Sequence, residues 1–328
     1  MRIDAPSAIT GHTSLGDTGV TALVAADPDG MAAAVDVRGG GPGTRETDLL
    51  EPHNTVERVH AILLCGGSAF GLAAADGAMA ELERRGRGFP VFGEDAPGPR
   101  VPIVPAAVIF DLVVGDPAHR PTAADGAAAV AAALDGGAGL VGSGSVGSGL
   151  VGSGSVGAGC GATAGVLRGG FGHARARAAG YTVEAFVVAN PVGSVVDPAT
   201  GLLYGDPAQP AVDMEAFAQL ERPTPKLNTT IGVIATDAPL TKAQLKRVAM
   251  TGHDGIARAV RPAHSPLDGD TLFAVSTAPA GAAPVHDVEA LTQLGQMGAG
   301  VIQAAIVDAV VSAESAYGVT AWRDIAIV

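Results

Sequence analysis

A mixed α/β fold is the class this sequence predicts, and three observations carry it. Apolar runs of strand length recur, such as Tyr181 to Ala189 and Thr271 to Thr277. Between them lie segments with helical spacing, the clearest opening on Thr241-x-x-Gln244, the spacing of a capping box. Gly and Pro clusters punctuate the joins.

Taken in chain order, Val20 to Ala26 and Met31 to Val37 alternate as strands about Asp27-Pro28-Asp29-Gly30, a hairpin signal. His60 to Cys65 reads as a short strand, Gly66 to Gly71 as a turn, and Leu72 to Arg85 as a helix with Gly86 past its end. The turn GGSAFG has neither the glycine order of a dinucleotide fingerprint nor the Gly-Lys-Ser/Thr of a phosphate loop, so it reads as close packing of helix on sheet. Ser68 is not a nucleophile elbow, because Phe70 stands where that motif needs glycine. Residues 139–158 contain LVGSGSVG twice, too few copies for a solenoid, and their Gly/Ser composition reads as a flexible loop.

Tyr181 to Ala189 is a strand broken by Asn190-Pro191-Val192-Gly193. Thr229 to Thr236 reads as a buried strand, followed by a helix whose apolar stripe is Leu245, Val248, Ala249, Gly252, Ile256 and Val260 and which Arg261-Pro262 ends. A loop with His264, Asp268, Gly269 and Asp270 enters the strand Thr271 to Thr277, and a last helix runs from about Val288 to Tyr317. His253, inside the amphipathic helix, reads as a packing or surface residue.

A chain of 328 residues buries roughly three quarters of its unfolded surface, enough for one or two domains with a large core. Hydrophobic residues are 47% of the total but aromatics only 4%, which suits layers packed through small side chains. A net charge of −13 argues against a nucleic-acid partner. Cys65 and Cys160 read as reduced packing residues, and the eight histidines form no metal-ligand motif, so neither metal nor cofactor is expected. No signal-peptide design opens the chain and no apolar run looks long and smooth enough to span a bilayer, so the expected location is cytoplasmic, with no membrane partner.

The chemistry centres on Asn228-Thr229. If the chain is cut before Thr229, one residue gains a hydroxyl nucleophile and a free amine together. An α-amine has a reference pKa of about 7.7–8, so it can take the proton from its own residue's hydroxyl and no histidine is needed. Pattern alone favours a commoner reading, Asn in a turn before a β-branched strand start.

The run NTTIGVIATDAPLT, the helix end GHDGIARAVRP and the segment HSPLDGDTLFAVST resemble the small subunit of the self-cleaving L-aminopeptidase/D-esterase family, which includes β-aminopeptidases and nylon-oligomer hydrolases. The likeness extends upstream through VDVRGGGPGTRETDLL, HAILLCGGSAFGLAAADG, VPIVPAAVIFDL, GAGCGATAG and VVANPVG. The resemblance implies a four-layer αββα sandwich of two largely antiparallel sheets between helix layers, one domain over 1–328 that cuts itself into 1–228 and 229–328. It also implies a homotetramer and small peptide, amide or ester substrates.

By the same resemblance Thr229 is the nucleophile, forming an acyl-enzyme. Asn190 stands beside it to stabilise an oxyanion or hold the new amine, and Asp268 and Asp270 orient it. The approach Arg222 to Leu227, pinned by two prolines, presents the scissile bond. Two positions depart from the nylon-hydrolase pattern: Phe110 replaces a tyrosine, and Val166 stands where a lysine is found, with Arg168 two residues on. The expected activity is that of an aminopeptidase or amidohydrolase. The alternatives are an acyltransferase discharging the same acyl-threonine to an amine, and an uncleaved binding protein.

Overall fold

The runs Ala61–Cys65 and Ile231–Thr236, one in each of two sheets, are buried at every residue, so both sheets are covered on both faces there. The computed structural model describes residues 8–93, 96–136, 152–224 and 227–327. The principal strands are β1 (Ile9–Ser14), β2 (Gly19–Val24), β3 (Met31–Val37), β4 (Ala61–Cys65), β5 (Ala106–Val108), β6 (Gly170–Ala178), β7 (Tyr181–Ala189), β8 (Ile231–Thr236) and β9 (Thr271–Ser276). The principal helices are α1 (Ala74–Arg84), α2 (Ala123–Gly136), α3 (Lys242–Ala259) and α4 (Val288–Ser312).

One sheet has the order β1-β2-β4-β5, with Thr44–Arg45 at its edge, and the other β6-β7-β8-β9-β3, with Arg58–Val59 at its edge. All neighbours are antiparallel except β4 with β5 and β8 with β9. Period-two alternation divides each strand between two cores. Leu23, Ile62, Leu64, Phe171, Phe186, Val233 and Phe273 meet between the sheets. Val20, Ala22, Ala61 and Leu63 face α1 and α2, while Val183, Ala185, Ile234, Leu272 and Ala274 face α3 and α4. The result is the αββα order of layers.

Small side chains set the layer spacing. A Cβ on Gly77 would run into the backbone of Ala123, and one on Gly126 into that of Ala74, so α1 and α2 cross at two glycines. Helix α3 opens on the capping box read from the sequence: Thr241 accepts from the Gln244 backbone and Gln244 caps Thr241 in return.

Three expectations are corrected. Asp27 to Gly30 does form a turn, but β2 and β3 lie in different sheets, so it is an arch and no hairpin. The reason is burial: Leu23 and Ala25 on one side and Met31, Ala33 and Val35 on the other meet face to face in the inter-sheet core. The last helix stops at Ser312, because Ala313 is extended. By length and a mean hydropathy of 1.5, α4 is apolar enough to cross a bilayer, contrary to the sequence expectation. Here its buried stripe, including Leu294, Ile302, Ala305, Ile306 and Ala309, packs with α3, β6 and β7. The first copy of LVGSGSVG and the start of the second fall in 137–151, outside the described residues.

Candidate active site

The parallel ladder of β8 and β9, which pairs Ile231 with Thr271, runs backwards beyond both strands in the same register to join Asn228 and Asp268. Thr229 therefore stands opposite Gly269, and a carboxylate flanks that glycine on each side. The ladder bonds are Asn228 N–H to Leu267 O at 3.3 Å, Gly269 N–H to Asn228 O at 3.2 Å and Thr271 N–H to Thr230 O at 3.0 Å.

The Asn228–Thr229 peptide is gripped on both sides. Its carbonyl oxygen accepts from the Gly269 N–H, and its own N–H donates to the Asn190 carbonyl at 2.7 Å. The Thr229 hydroxyl donates to the Asn228 oxygen at 2.5 Å. Asn228 and Thr229 are buried. A side chain at 269 would leave the hydroxyl no room, since a Cβ there would lie 2.8 Å from Thr229 Oγ1 and 2.7 Å from Gly41 O.

Asn190 terminates β7, and its side chain is fully enclosed. Nδ2 donates to Phe110 O at 3.1 Å, while Oδ1 accepts from Thr163 N–H at 2.7 Å and from Asn228 Nδ2 at 3.2 Å. In the uncut chain, then, it is the Asn190 main-chain carbonyl that touches Thr229, and the side-chain amide is directed elsewhere.

Asp268 and Asp270 are buried carboxylates saturated by local donors. Asp268 accepts from Val192 N–H at 2.8 Å, Ser265 N–H at 3.0 Å and the Ser265 hydroxyl at 2.5 Å. Asp270 accepts from Thr230 N–H at 2.7 Å and from His264 through N–H at 3.1 Å and Nδ1 at 2.8 Å. Burial, then the neighbouring Asp270 charge, push the Asp268 carboxyl above the usual carboxylate range, against the hydrogen bonds from Ser265 and Val192. Both carboxylates thus fix the loop that carries Gly269 and the strand that begins at Thr230.

Two supports went unread in the sequence, and a third lies on the approach already named. Thr163 holds the side chains of both asparagines: Asn228 Nδ2 donates to its carbonyl at 3.1 Å and to its hydroxyl at 3.0 Å. Arg222, on the approach to the scissile bond, donates to the carbonyls of Pro191 and Val192; positions 225–226 of that approach lie outside the described residues. Residues 38–41 lie along the Asp loop, with Arg38 N–H donating to Asp270 O and Gly41 N–H to Asp268 O. The run Gly39-Gly40-Gly41 was the available signal, since a Cβ on Gly39 would collide with the backbone of Asp268 and Asp270.

Arg168 is buried, donates to the Cys160 carbonyl, and leaves Nε and Nη1 without a hydrogen-bond partner among the described residues. Its guanidinium thus supports the loop leading to Thr163. A cavity of ≈ 770 Å³ beside Arg58, His60 and Phe89 shares no lining residue with this site. A smaller groove of ≈ 280 Å³ runs past Gly165, Val166, Val192 and Arg222 and adjoins it.

Thr229 thus sits at the start of an interior strand, in two stacked sheets between helix layers. A solved structure with this fold, the L-aminopeptidase D-Ala-esterase/amidase of Ochrobactrum anthropi, superposes with a TM-score of 0.66 at 22% identity, covering 93% of this chain and 84% of the other. The chain belongs to peptidase family S58, which it matches over residues 3–322. It is 48% identical over 322 residues to an uncharacterized aminopeptidase of Mycobacterium leprae, covering 93% of this chain and 85% of the relative. It is also 32% identical over 294 residues to a 6-aminohexanoate-oligomer endohydrolase of a Kocuria species, covering 84% and 75% respectively. Family membership makes the protein a hydrolase of the aminopeptidase and amidase kind.

Proposed function

We infer that the chain cuts its own Asn228–Thr229 bond and that the freed Thr229 then hydrolyses amide or ester bonds of small aminoacyl substrates. The observation that carries this reading is the two-sided grip on one peptide bond, with the Thr229 hydroxyl 2.5 Å from its carbonyl oxygen.

In maturation the Thr229 oxygen bonds to the Asn228 carbonyl carbon. The hydroxyl proton passes to the leaving nitrogen and the C–N bond breaks, leaving an ester on Thr229 and a free amine. Water then adds to the ester, releasing the Asn228 carboxyl and restoring the hydroxyl. The Gly269 N–H, already 3.2 Å from the carbonyl oxygen, is the donor for the developing oxyanion. In the mature protein the new α-amine accepts the hydroxyl proton and the same steps run on a substrate carbonyl. Asp268 and Asp270 act through the loop and strand they hold.

The test is turnover of aminoacyl anilides by the processed protein beside Thr229→Ser and Thr229→Ala. Serine keeps a hydroxyl and is expected to retain measurable maturation and hydrolysis, whereas alanine is expected to show neither. Hydrolysis by a pure alanine variant would end the assignment of Thr229.

A further inference from the structure

We propose that the slot now filled by the Asn228 side chain is the acyl-group subsite of the mature enzyme, and that it selects acyl groups carrying an N–H donor on the fourth carbon, counted from the carbonyl. This rests on the reading of Thr229 as nucleophile. Asn228 is then the acyl residue of the protein's own first reaction, so its contacts mark where the acyl part of a later substrate lies.

The slot turns three oxygens to one nitrogen, the proton of the Thr163 hydroxyl being given to Asn190 Oδ1 at 3.3 Å. Asn228 Nδ2, attached to the fourth carbon of its residue, donates to Thr163 Oγ1 at 3.0 Å, Thr163 O at 3.1 Å and Asn190 Oδ1 at 3.2 Å. Thr163 and Asn190 are buried, so water does not share the task in the uncut chain. The orientation of the slot is locked from behind: Asn190 Nδ2 is committed to the Phe110 carbonyl, and Thr163 N–H to Asn190 Oδ1. With its amide nitrogen already used, Asn190 presents oxygen to the slot.

An anion placed there would face three oxygens, and an apolar group would leave them unpaired in a buried site. Either mismatch costs about 1–3 kcal/mol, which reads as roughly tenfold to a hundredfold in kcat/KM. An L-asparaginyl group meets the slot with its carboxamide and meets the Leu267 carbonyl with its main-chain nitrogen, as Asn228 does at 3.3 Å. A 4-aminobutanoyl group brings an ammonium to the same point and lacks the second contact.

The experiment uses wild-type protein shown by intact mass to be cut before Thr229, offered the p-nitroanilides of L-asparagine, L-aspartate, L-leucine, 4-aminobutanoate, butanoate and 6-aminohexanoate. The expected order places L-asparaginyl or 4-aminobutanoyl at least about tenfold above L-aspartyl, L-leucyl and butanoyl in kcat/KM. Which of the two leads tells whether the slot takes a neutral carboxamide or an ammonium. A second arm uses Thr163→Val shown by intact mass to be cut before residue 229, expected to raise KM for the leading substrate about tenfold more than for L-leucyl, with Thr163→Ser restoring it. Equal rates across the series, a preference for L-aspartyl, L-leucyl or 6-aminohexanoyl, or no turnover by the cut protein would overturn the subsite. An uncut wild-type chain would instead overturn the nucleophile reading on which it stands.

Discussion

Gly269 sets the room left for the Thr229 hydroxyl and supplies the N–H that the Asn228 carbonyl accepts. Gly269→Ala is expected to keep the fold by circular dichroism yet slow maturation by about a hundredfold, the scale of a lost oxyanion donor; wild-type maturation would show that neither contact matters. Asp268 belongs to the same scale. Its raised carboxyl means that the folded chain binds a proton where the unfolded chain has lost it. Its contribution to stability is therefore fully present below the unfolded value and is lost as pH rises through the folded one. Turnover that depends on the anion runs the other way and falls as pH drops through that raised value. Asp270→Asn removes the like charge and is expected to move this acid limb to lower pH while reducing the rate; a limb that stays put would dissociate it from Asp268. Thr229, Asn190 and the two aspartates were singled out in the sequence through family likeness, since pattern alone favoured turn residues. The Gly269 N–H and the Asn190 carbonyl were not, because every residue offers such groups and only the register of β8 on β9 aims these two at one bond.

Elements position the site through backbone approach. The segment 38–41 binds the 265–270 loop through main-chain bonds at Arg38, Gly39, Gly40 and Gly41, and a Cβ at 39 would force the two apart. Gly39→Ala is accordingly expected to impair both maturation and thermal stability. Thr241→Ala, which removes the α3 cap beyond the opposite end of β8 from Thr229, is expected to cost about 1 kcal/mol of stability and leave maturation at the wild-type rate. Equal maturation in the two variants would remove the brace from the account. At this scale the strands and helices that were read, such as Tyr181 to Ala189, match to within a few residues and the capping box was readable outright, while β1, β6 and α2 went unread. Pairing was not: Asp27 to Gly30 carries every local mark of a hairpin, yet the apolar residues on both its flanks are used between sheets. Local turn chemistry fixes the reversal of direction and leaves the choice of sheet to the core.

At the scale of the molecule, the cut would fall where one sheet is most enclosed. Strand β8 lies between β7 and β9, with one face in the inter-sheet core and the other against Ile234's neighbours in the helix-facing core. Separating residues 1–228 from 229–328 would therefore open both cores, so the two pieces are expected to stay together in native conditions and part only on denaturation. The layered order of elements could be named from the sequence only through family likeness, since an unbroken apolar strand shows that both faces are buried without showing what covers them. The claim on which the rest depends is self-cleavage by Thr229, and intact mass under denaturing conditions, with N-terminal sequencing, tests it most directly. The expected result for protein expressed alone is two pieces, the smaller beginning at Thr229, and a single uncut chain for Thr229→Ala. A wild-type chain that remains whole after prolonged incubation, or an alanine variant cut at the same bond, would contradict it.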